Sequence, residues 1–321
     1  MKDNCVLAPL KELKRAYGFD EVAIVPGDVT VNPDQTNVVF QLGPYSIPIP
    51  ILAASMDAVV SPEFAIRFAR LGGLPVLNLD GIYTRYDDPD EILDQIAGAT
   101  NGVTQFLQKV YSEPIKERLV GQRVAEIKKG GGVAAAALTP ANTKSLAPLA
   151  AEAGLDILVI QSTVTTARHI SKSGQGLNFS ELRQAFHRPI LVGNCVSYSA
   201  VLELMRTGID GVLVGVGPGA ACTSREVLGI GVPQVTAILD TAAAREQYFR
   251  ETGRYVSLIA DGGISNGGDF CKAIACGADA VMVGSLLARA KEAPGRGYQW
   301  GMATSHAALP RGTRIKVNTV A

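Results

Sequence analysis

The sequence predicts a single (β/α)8 barrel, in which eight parallel strands form a closed ring surrounded by helices. Eight short apolar runs, rich in Val, Ile, Leu and Ala, follow one another between residues 48 and 285. Each run is continuously apolar, which is typical of strands buried on both faces of a parallel sheet. Amphipathic segments separate the runs, and most end in Gly, as helices commonly do. Eight such units favour a closed barrel over the alternative, an open doubly wound sheet.

The predicted strands are, in order, IPILAAS, LPVLNL, AAAALTP, ILVIQS, PILVGN, GVLVGVG, VSLIADGG and AVMVGS. Before them, residues 29–50 indicate a β-hairpin that plugs one end of the barrel, within an N-terminal extension of residues 1–46. Between the second and third strands, residues 80–132 fit a loop and two helices and are too few for an inserted domain of ordinary size. No closing helix is evident after the eighth strand, so we expect an incomplete C-terminal end. Residues 1–321 then form one catalytic domain.

The composition excludes several classes of function. The 30 Lys and Arg residues balance 30 Asp and Glu residues, which argues against a nucleic-acid or membrane surface built on charge. The five cysteines are scattered, without the paired spacing of a zinc site, and indicate a reducing compartment. The first twenty residues lack the apolar core of a signal peptide, and no apolar run is long enough to span a membrane. We therefore expect a cytoplasmic protein without nucleic-acid or membrane partners.

The loop after the sixth strand is the first candidate for chemistry. It reads GVGPGAACTSREVLGIGVPQ and places Gly215, Gly217 and Gly219 before Cys222. Active sites of such barrels form at the carboxyl ends of the strands. Glycines let a backbone approach a ligand closely, and the positive end of a following helix favours the thiolate, the nucleophilic form of cysteine. The alternative interpretation is a small buried cysteine in a packing turn.

Two further loops indicate a phosphate site. Asp261, Gly262 and Gly263 follow the seventh strand, and Gly284 and Ser285 open a helix after the eighth. Glycine turns after strands seven and eight commonly bind phosphate in barrels, through backbone amides and helix N-termini. The alternative is that Ser285 only caps a helix and the glycines only make turns.

With these residues in view, the chain resembles the IMP dehydrogenase/GMP reductase family. GVGPGAACTSREVLGIGVPQ and, at matching spacing, ADGGISNGGDFCKAIACGADAVMVGSLLA are similar to the family signature. The upstream segments AASMDAVVSPEFA and LVGNCVS are similar to its nucleotide and cofactor loops. The resemblance covers nearly the whole chain. CBS domains, which the family often inserts after the second strand, are missing, as in the short, IMP dehydrogenase-related bacterial branch.

The resemblance implies an NAD-dependent oxidation of IMP to XMP, in guanine nucleotide biosynthesis. Cys222 would attack C2 of the purine, hydride would pass from C2 to NAD+, and water would hydrolyse the thioimidate. Ser224 stands where the family usually has a threonine that assists the purine and the attacking water. The family's mobile flap carries an Arg-Tyr pair that activates water, but here only ATSHAAL lies between Met302 and Pro310. Arg311 is our choice of substitute, with Arg314 and His306 as alternatives.

The resemblance also implies the binding residues. Asp261 would bind the ribose hydroxyls, the two glycine turns and Tyr298 the 5′-phosphate, and Met56 and the Gly301–Met302 segment the base. The predicted substrate residues are Met56, Asp261, Gly262, Gly263, Gly284, Ser285, Tyr298, Gly301 and Met302. The predicted cofactor residues are Gln161, Ser162, Thr163, Asn194, Gly215 and Gly217. Carbonyls of Gly217, Gly219 and Cys222 would bind a monovalent cation, K+, and the barrels would assemble as a homotetramer, with an octamer as the alternative.

The chain also departs from the family pattern. Ala220 replaces a serine whose hydroxyl would bind phosphate, a loss of about 0.5–1.5 kcal/mol. Gln161 stands where dehydrogenases commonly have an aspartate, and Leu213 where a partner arginine is often found. The two changes remove opposite charges and are interpreted as compensatory.

Two other functions stay open at this point. A GMP reductase would use NADPH and the same cysteine and phosphate site, and the missing Arg-Tyr pair favours it. The segment VPQVTAI after the cysteine loop favours the dehydrogenase. A non-catalytic, purine nucleotide-binding relative is the third alternative, and the intact Cys222 loop argues against it.

Overall fold

The computed structural model describes residues 13–170, 176–301 and 314–320. Its strands are β1 (Phe40–Leu42), β2 (Tyr45–Ile47), β3 (Ile51–Ala53), β4 (Leu74–Asn78), β5 (Ala135–Leu138), β6 (Ile157–Gln161), β7 (Ile190–Cys195), β8 (Gly211–Val214), β9 (Ser257–Asp261), β10 (Ala280–Val283), β11 (Tyr298–Gln299) and β12 (Ile315–Lys316). Strands β3 to β10 are parallel, and β10 pairs with β3 to close the ring. The predicted barrel is confirmed, and the open sheet is excluded.

Helices connect the barrel strands and lie outside them. They are α1 (Pro62–Arg70), α2 (Pro89–Gly98), α3 (Val103–Ser112), α4 (Glu117–Lys129), α5 (Pro140–Glu152), α6 (Phe179–Ala185), α7 (Tyr198–Arg206), α8 (Ser224–Val227), α9 (Gln234–Thr252), α10 (Gly267–Ala275) and α11 (Ser285–Ala288). Local sequence sets several starts: the Ser61 side chain caps α1, and Pro62 occupies its first position. No helix among the described residues is long and apolar enough to cross a membrane.

The barrel wall divides two hydrophobic clusters, which explains the continuously apolar strands. In β6, Ile157 and Val159 point into the barrel, whereas Leu158 and Ile160 pack against the surrounding helices. All four side chains are fully buried. Because alternate residues of a strand face opposite sides, a strand covered on both sides has no polar face.

The predicted hairpin exists but is shorter than its sequence segment. Strands β1 and β2 pair antiparallel around Gly43, which has a φ of +57°. Phe40, Leu42 and Ile47 join the cluster inside the barrel and close the amino ends of its strands. Residues 29–39 form no strand, and Val29 and Val31 are exposed, so the hairpin is limited to β1 and β2.

The segment between β4 and β5 contains three helices, α2 to α4, where the sequence predicted two. Gly102, at a φ of +60°, separates α2 from α3, and Pro114 lies between α3 and α4. These residues break what reads as one longer helical pattern. After β10, the one-turn helix α11 is followed by the antiparallel pair β11 and β12, so no full-length helix follows the last barrel strand in the part described.

Candidate active site

The cysteine loop runs from the carboxyl end of β8 to the short helix α8, and its glycines are required by close packing. A Cβ atom on Gly215 would lie 2.2 Å from the carbonyl oxygen of Asp261, and one on Gly217 would lie 2.5 Å from the side chain of Arg225. Both glycines have positive φ. Arg225 also donates to the carbonyls of Val216 (3.3 Å) and Val232 (2.6 Å). Arg225, which the sequence did not single out, therefore connects the beginning of the loop at Val216 to its end at Val232.

Cys222 and Ser224, two residues that the sequence singled out, lie close together. The Cys222 Sγ is 3.2 Å from the Ser224 Oγ, and the Cys222 amide donates to the Gly219 carbonyl at 2.9 Å. Ser224 is buried as the first residue of α8, whereas Cys222 is half-buried. The sulfur is thus neither packed in the core nor on an open surface, and a hydroxyl lies beside it.

The turn after β9 contacts the cysteine loop directly. Gly262 and Gly263 have φ angles of +82° and +78°. A Cβ atom on Gly262 would lie 3.1 Å from the Pro218 side chain and 3.2 Å from the Gly219 amide nitrogen. The two glycines therefore let two loops from neighbouring strands approach closely, at the carboxyl end of the barrel where the sequence placed them.

The turn after β10 is joined to the first barrel strand and to the C-terminal sheet. A Cβ atom on Gly284 would lie 2.8 Å from the Met56 sulfur. The Ser285 hydroxyl accepts a hydrogen bond from the Gln299 side chain at 2.9 Å. This bond joins the turn after β10 to β11, the strand that also carries Tyr298, whose ring packs against Arg314.

Arg314 has a structural position. Its guanidinium lies 4.2 Å from the centre of the Tyr298 ring and donates to the carbonyls of Ile96 (2.6 Å) and Ala99 (2.5 Å) at the end of α2. These contacts hold both terminal nitrogens of Arg314 against the end of α2, so the structure gives Arg314 a packing role there. Met302, His306 and Arg311 lie outside the described residues.

A polar network connects predicted substrate and cofactor residues. Gln161 Nε2 donates to Asp261 Oδ2 (2.9 Å) and to Asn194 Oδ1 (3.0 Å). Asn194 Nδ2 donates to Asp261 Oδ2 (2.7 Å) and to the Gly215 carbonyl (2.8 Å). Ser55 completes the network by donating to Gln161 Oε1 at 2.7 Å. The ends of five strands meet in these bonds, and Ser55 was not predicted from the sequence.

The carboxylate of Asp261 is held on one oxygen by two neutral amides. Burial raises its pKa to about 6, and the hydrogen bonds from Asn194 and Gln161 oppose this rise. Both bonds reach Oδ2, so Oδ1 accepts none from the described residues. The two bonds therefore fix the orientation of Oδ2, while Oδ1 can accept hydrogen bonds from hydroxyl groups of a ligand.

The loop after β6 carries the other predicted cofactor residues. The Ser162 hydroxyl donates to the Val164 carbonyl at 2.9 Å and lies 3.1 Å from the Thr165 hydroxyl, and Thr163 is half-buried beside them. Leu213 is fully buried inside the barrel against Gly193. An apolar contact therefore takes the place of the charge that the family often has there.

Cys195 differs from Cys222 in its surroundings. It ends β7, is buried, and burial raises the pKa of its thiol. A buried thiol with a raised pKa is a poor nucleophile. Of these two cysteines near the barrel mouth, Cys222 is the more accessible.

A cation at the cysteine loop would be bound by backbone oxygens. The part of the chain described contains no group of three or more His, Cys, Asp or Glu residues that could hold a metal. The Gly219 carbonyl already accepts the Cys222 amide, which leaves it one lone pair. Carbonyls of Gly217, Gly219 and Cys222 are hard oxygen donors of the kind that alkali and alkaline-earth cations take.

Comparisons with known proteins agree with this geometry. Residues 16–305 match the family model described as the IMP dehydrogenase / GMP reductase domain. An uncharacterized oxidoreductase of Mycolicibacterium smegmatis is 41% identical over 95% of this chain and 83% of its own length. The inosine-5′-monophosphate dehydrogenase of Cryptosporidium parvum is 31% identical over 89% of this chain and 71% of its own. The crystal structure of an IMP dehydrogenase/GMP reductase-like protein from Corynebacterium glutamicum superposes with a TM-score of 0.89 at 36% identity, covering 97% and 83% of the two chains.

Proposed function

The chain belongs to the IMP dehydrogenase/GMP reductase family of oxidoreductases, and on that premise we propose that it oxidises IMP to XMP with NAD+. One observation carries the proposal: the half-buried Cys222, with the Ser224 hydroxyl 3.2 Å from its sulfur, lies in a loop that packs against the Asp261–Gly263 turn. A nucleophile and a nucleotide-binding turn thereby share one barrel mouth.

The substrate nucleotide lies across the loops after β9 and β10. The 5′-phosphate is bound by the backbone amides of Gly262, Gly263 and Gly284 and by the Ser285 hydroxyl. Tyr298 also contributes to this phosphate site. Oδ1 of Asp261, which accepts no hydrogen bond from the residues that the structure describes, accepts hydrogen bonds from the ribose hydroxyls. Met56 and Gly301, followed by Met302, enclose the base. This orientation directs C2 of the purine toward the cysteine loop.

The chemistry begins at Cys222. Its thiolate adds to the electron-poor C2, which then becomes tetrahedral and can lose a hydride. NAD+ supplies the hydride acceptor when it is bound. Ser224 donates its hydroxyl proton toward the purine or holds the attacking water. Water adds to the resulting thioimidate, Cys222 leaves as the thiolate, and XMP is released; Arg311 is our candidate for activating that water.

The cofactor and cation sites follow from neighbouring residues. The side of the mouth that would receive NAD+ is lined by Ser162, Thr163, Asn194, Gly215 and Gly217. Gln161 contributes there by holding Asn194 and Asp261 in place. Carbonyls of Gly217, Gly219 and Cys222 would bind K+ and shape the cysteine loop. We expect a cytoplasmic enzyme of guanine nucleotide biosynthesis, assembled as a homotetramer or an octamer.

A second candidate is an NADPH-dependent GMP reductase. One sequence observation favours it: residues 303–309 contain no Arg-Tyr pair to activate water. A reductase would use the same cysteine and phosphate site but would release ammonia from GMP.

One assay separates the candidates. The purified protein is incubated with IMP and NAD+, and separately with GMP and NADPH, while the absorbance of the reduced nicotinamide is followed. NADH formation in the first mixture alone supports the proposal. Loss of NADPH in the second alone supports the reductase. Silence in both mixtures, together with nucleotide binding by calorimetry, would indicate a non-catalytic nucleotide-binding protein.

A further inference from the structure

We infer that Tyr111 is a positioning residue that joins the two sides of the base pocket. The inference rests on the proposed function, because it takes Met56 and Gly301 as the residues that enclose the base. Tyr111 lies on α3, between the second and third barrel strands, and has no place in the chemistry described above. Its hydroxyl group nevertheless connects the segments that carry both base residues.

The connection is a chain of buried hydrogen bonds. The indole nitrogen of Trp300 donates to the Tyr111 hydroxyl at 2.7 Å, and that hydroxyl donates to the Asp57 carboxylate at 2.5 Å. Trp300, Tyr111 and Asp57 are 3%, 6% and 1% exposed. Asn78 donates to the other Asp57 oxygen at 3.3 Å. A single hydroxyl thus accepts from one segment and donates to the other.

The covalent neighbours of this chain give it a role. Asp57 directly follows Met56, and Trp300 directly precedes Gly301. The two segments also meet farther along, where the Gly295 amide donates to the Ala58 carbonyl at 3.1 Å. The backbone contact holds the two segments together at Ala58 and Gly295. The Tyr111 bridge lies next to Met56 and Gly301, so it sets the spacing of the segments at the base.

Removing the hydroxyl group has a defined consequence. In Tyr111→Phe, the buried Trp300 indole N–H loses its acceptor and Asp57 loses one of its hydrogen-bond donors, and a buried N–H is costly to leave unpaired. Without this bridge we expect the segments of Trp300 and Asp57 to move apart and to displace Gly301 or Met56, while the indole stays buried. The affinity for IMP should fall roughly tenfold, whereas the KM for NAD+ at saturating IMP should change less than about twofold.

The chain offers its own spectroscopic reporter and a matched control. Trp300 is the sole tryptophan in the sequence, so protein fluorescence reports on this bond directly. The hydroxyl of Tyr86 donates to the carbonyl of Val110, also on α3, at 3.0 Å. Tyr86→Phe therefore removes a comparable tyrosine hydroxyl bond to the same helix without touching either base segment.

The experiment measures the Kd for IMP by calorimetry and the Trp300 emission spectrum in wild type, Tyr111→Phe and Tyr86→Phe. We expect weaker IMP binding and a shift of the emission to shorter wavelength in Tyr111→Phe alone, because the excited indole loses its acceptor. Unchanged IMP affinity in Tyr111→Phe, or an equal loss in Tyr86→Phe, would overturn the inference. If Tyr111→Phe does not fold, Trp300→Phe removes the donor instead and should weaken IMP binding to the same extent.

Failure of the proposed function gives a different result. If the wild-type protein binds neither IMP nor GMP, the assignment of the barrel mouth fails, and the positioning role fails with it. If wild type binds IMP and Tyr111→Phe binds it equally well, only the positioning role is wrong.

Discussion

The side-chain amide of Gln161 lies 2.9 Å from Oδ2 of Asp261, although 100 residues separate them in sequence. A carboxylate in place of Gln161 would put two acidic groups within hydrogen-bond distance. At the same position the family commonly has an aspartate, and here the amide donates to Asp261 instead. The neutral side chain is therefore matched to the carboxylate that we propose for ribose binding.

Gln161→Glu should weaken IMP binding at least tenfold at about pH 8, because two close carboxylates cannot both ionise without repulsion. The loss should shrink as the pH falls and one of the pair takes up a proton. Kd values for IMP across pH test this. Gln161→Met, which lacks both the donor and the charge, is the control, and a loss in Gln161→Glu no larger than in the control would contradict the expectation.

Asp261→Asn should stabilise the protein while weakening substrate binding. The folded-state pKa of Asp261 is raised from 3.8 to about 6, so the folded protein holds this proton more tightly than the unfolded chain. The contribution to stability is full below pH 3.8 and is lost as the pH rises through about 6. Above that pH the variant should gain at most about 3 kcal/mol in free energy of unfolding, with solvent at the mouth reducing the gain.

Chemical denaturation of both proteins across pH checks this prediction. The difference in the free energy of unfolding should grow between about pH 4 and pH 6 and then level off. A variant less stable than wild type at neutral pH would show that the ionised carboxylate is stabilised by its surroundings.

The affinity for IMP should depend on the ionisation of Asp261. Below about pH 6 the carboxylate takes up a proton and loses an acceptor for the ribose hydroxyls, so the Kd for IMP should rise as the pH falls. The phosphate of IMP also titrates near this pH. In Asp261→Asn the IMP phosphate still titrates but residue 261 does not. The ratio of the Kd of this variant to the Kd of wild type, followed across pH, therefore isolates the effect of Asp261. A ratio that does not vary with pH would rule out this role.

The interior of the barrel should respond strongly to a cavity. Ile157 is fully buried inside the ring, and Ile157→Ala should lower the free energy of unfolding by about 2–5 kcal/mol. Val25→Ala, at a valine that is 85% exposed, should change it by less than about 0.5 kcal/mol. Denaturation midpoints of the two variants provide the comparison, and equal midpoints would contradict the assigned packing.

The sequence predicts the barrel and the contact between its glycine loops because these depend on local patterns. An apolar run such as Ile157–Ile160 shows burial on both faces, and strand order then brings the loops around Cys222, Asp261 and Gly284 to one end. Hydrogen bonds between distant side chains carry no such pattern. Ser55 and Gln161 are 106 residues apart, and only the folded barrel shows that they are bonded.

The errors have similar local causes. The four valines in residues 29–39 favour a strand, but all four are exposed and residues 29–39 form no strand. The break at Gly102 became visible only as a left-handed residue between two helices. The bridge from Trp300 through Tyr111 to Asp57 joins three segments that no motif connects.

Covalent attack by Cys222 is most directly tested by intact-protein mass spectrometry after acid quench of a reaction with IMP and NAD+. We predict a nucleotide adduct on wild type and on Cys271→Ala, which changes an exposed cysteine on α10. We predict no adduct on Cys222→Ala, which should still bind IMP but not turn over. Turnover by Cys222→Ala at the wild-type rate, or a nucleotide adduct of the same mass on Cys222→Ala, would contradict covalent attack by Cys222.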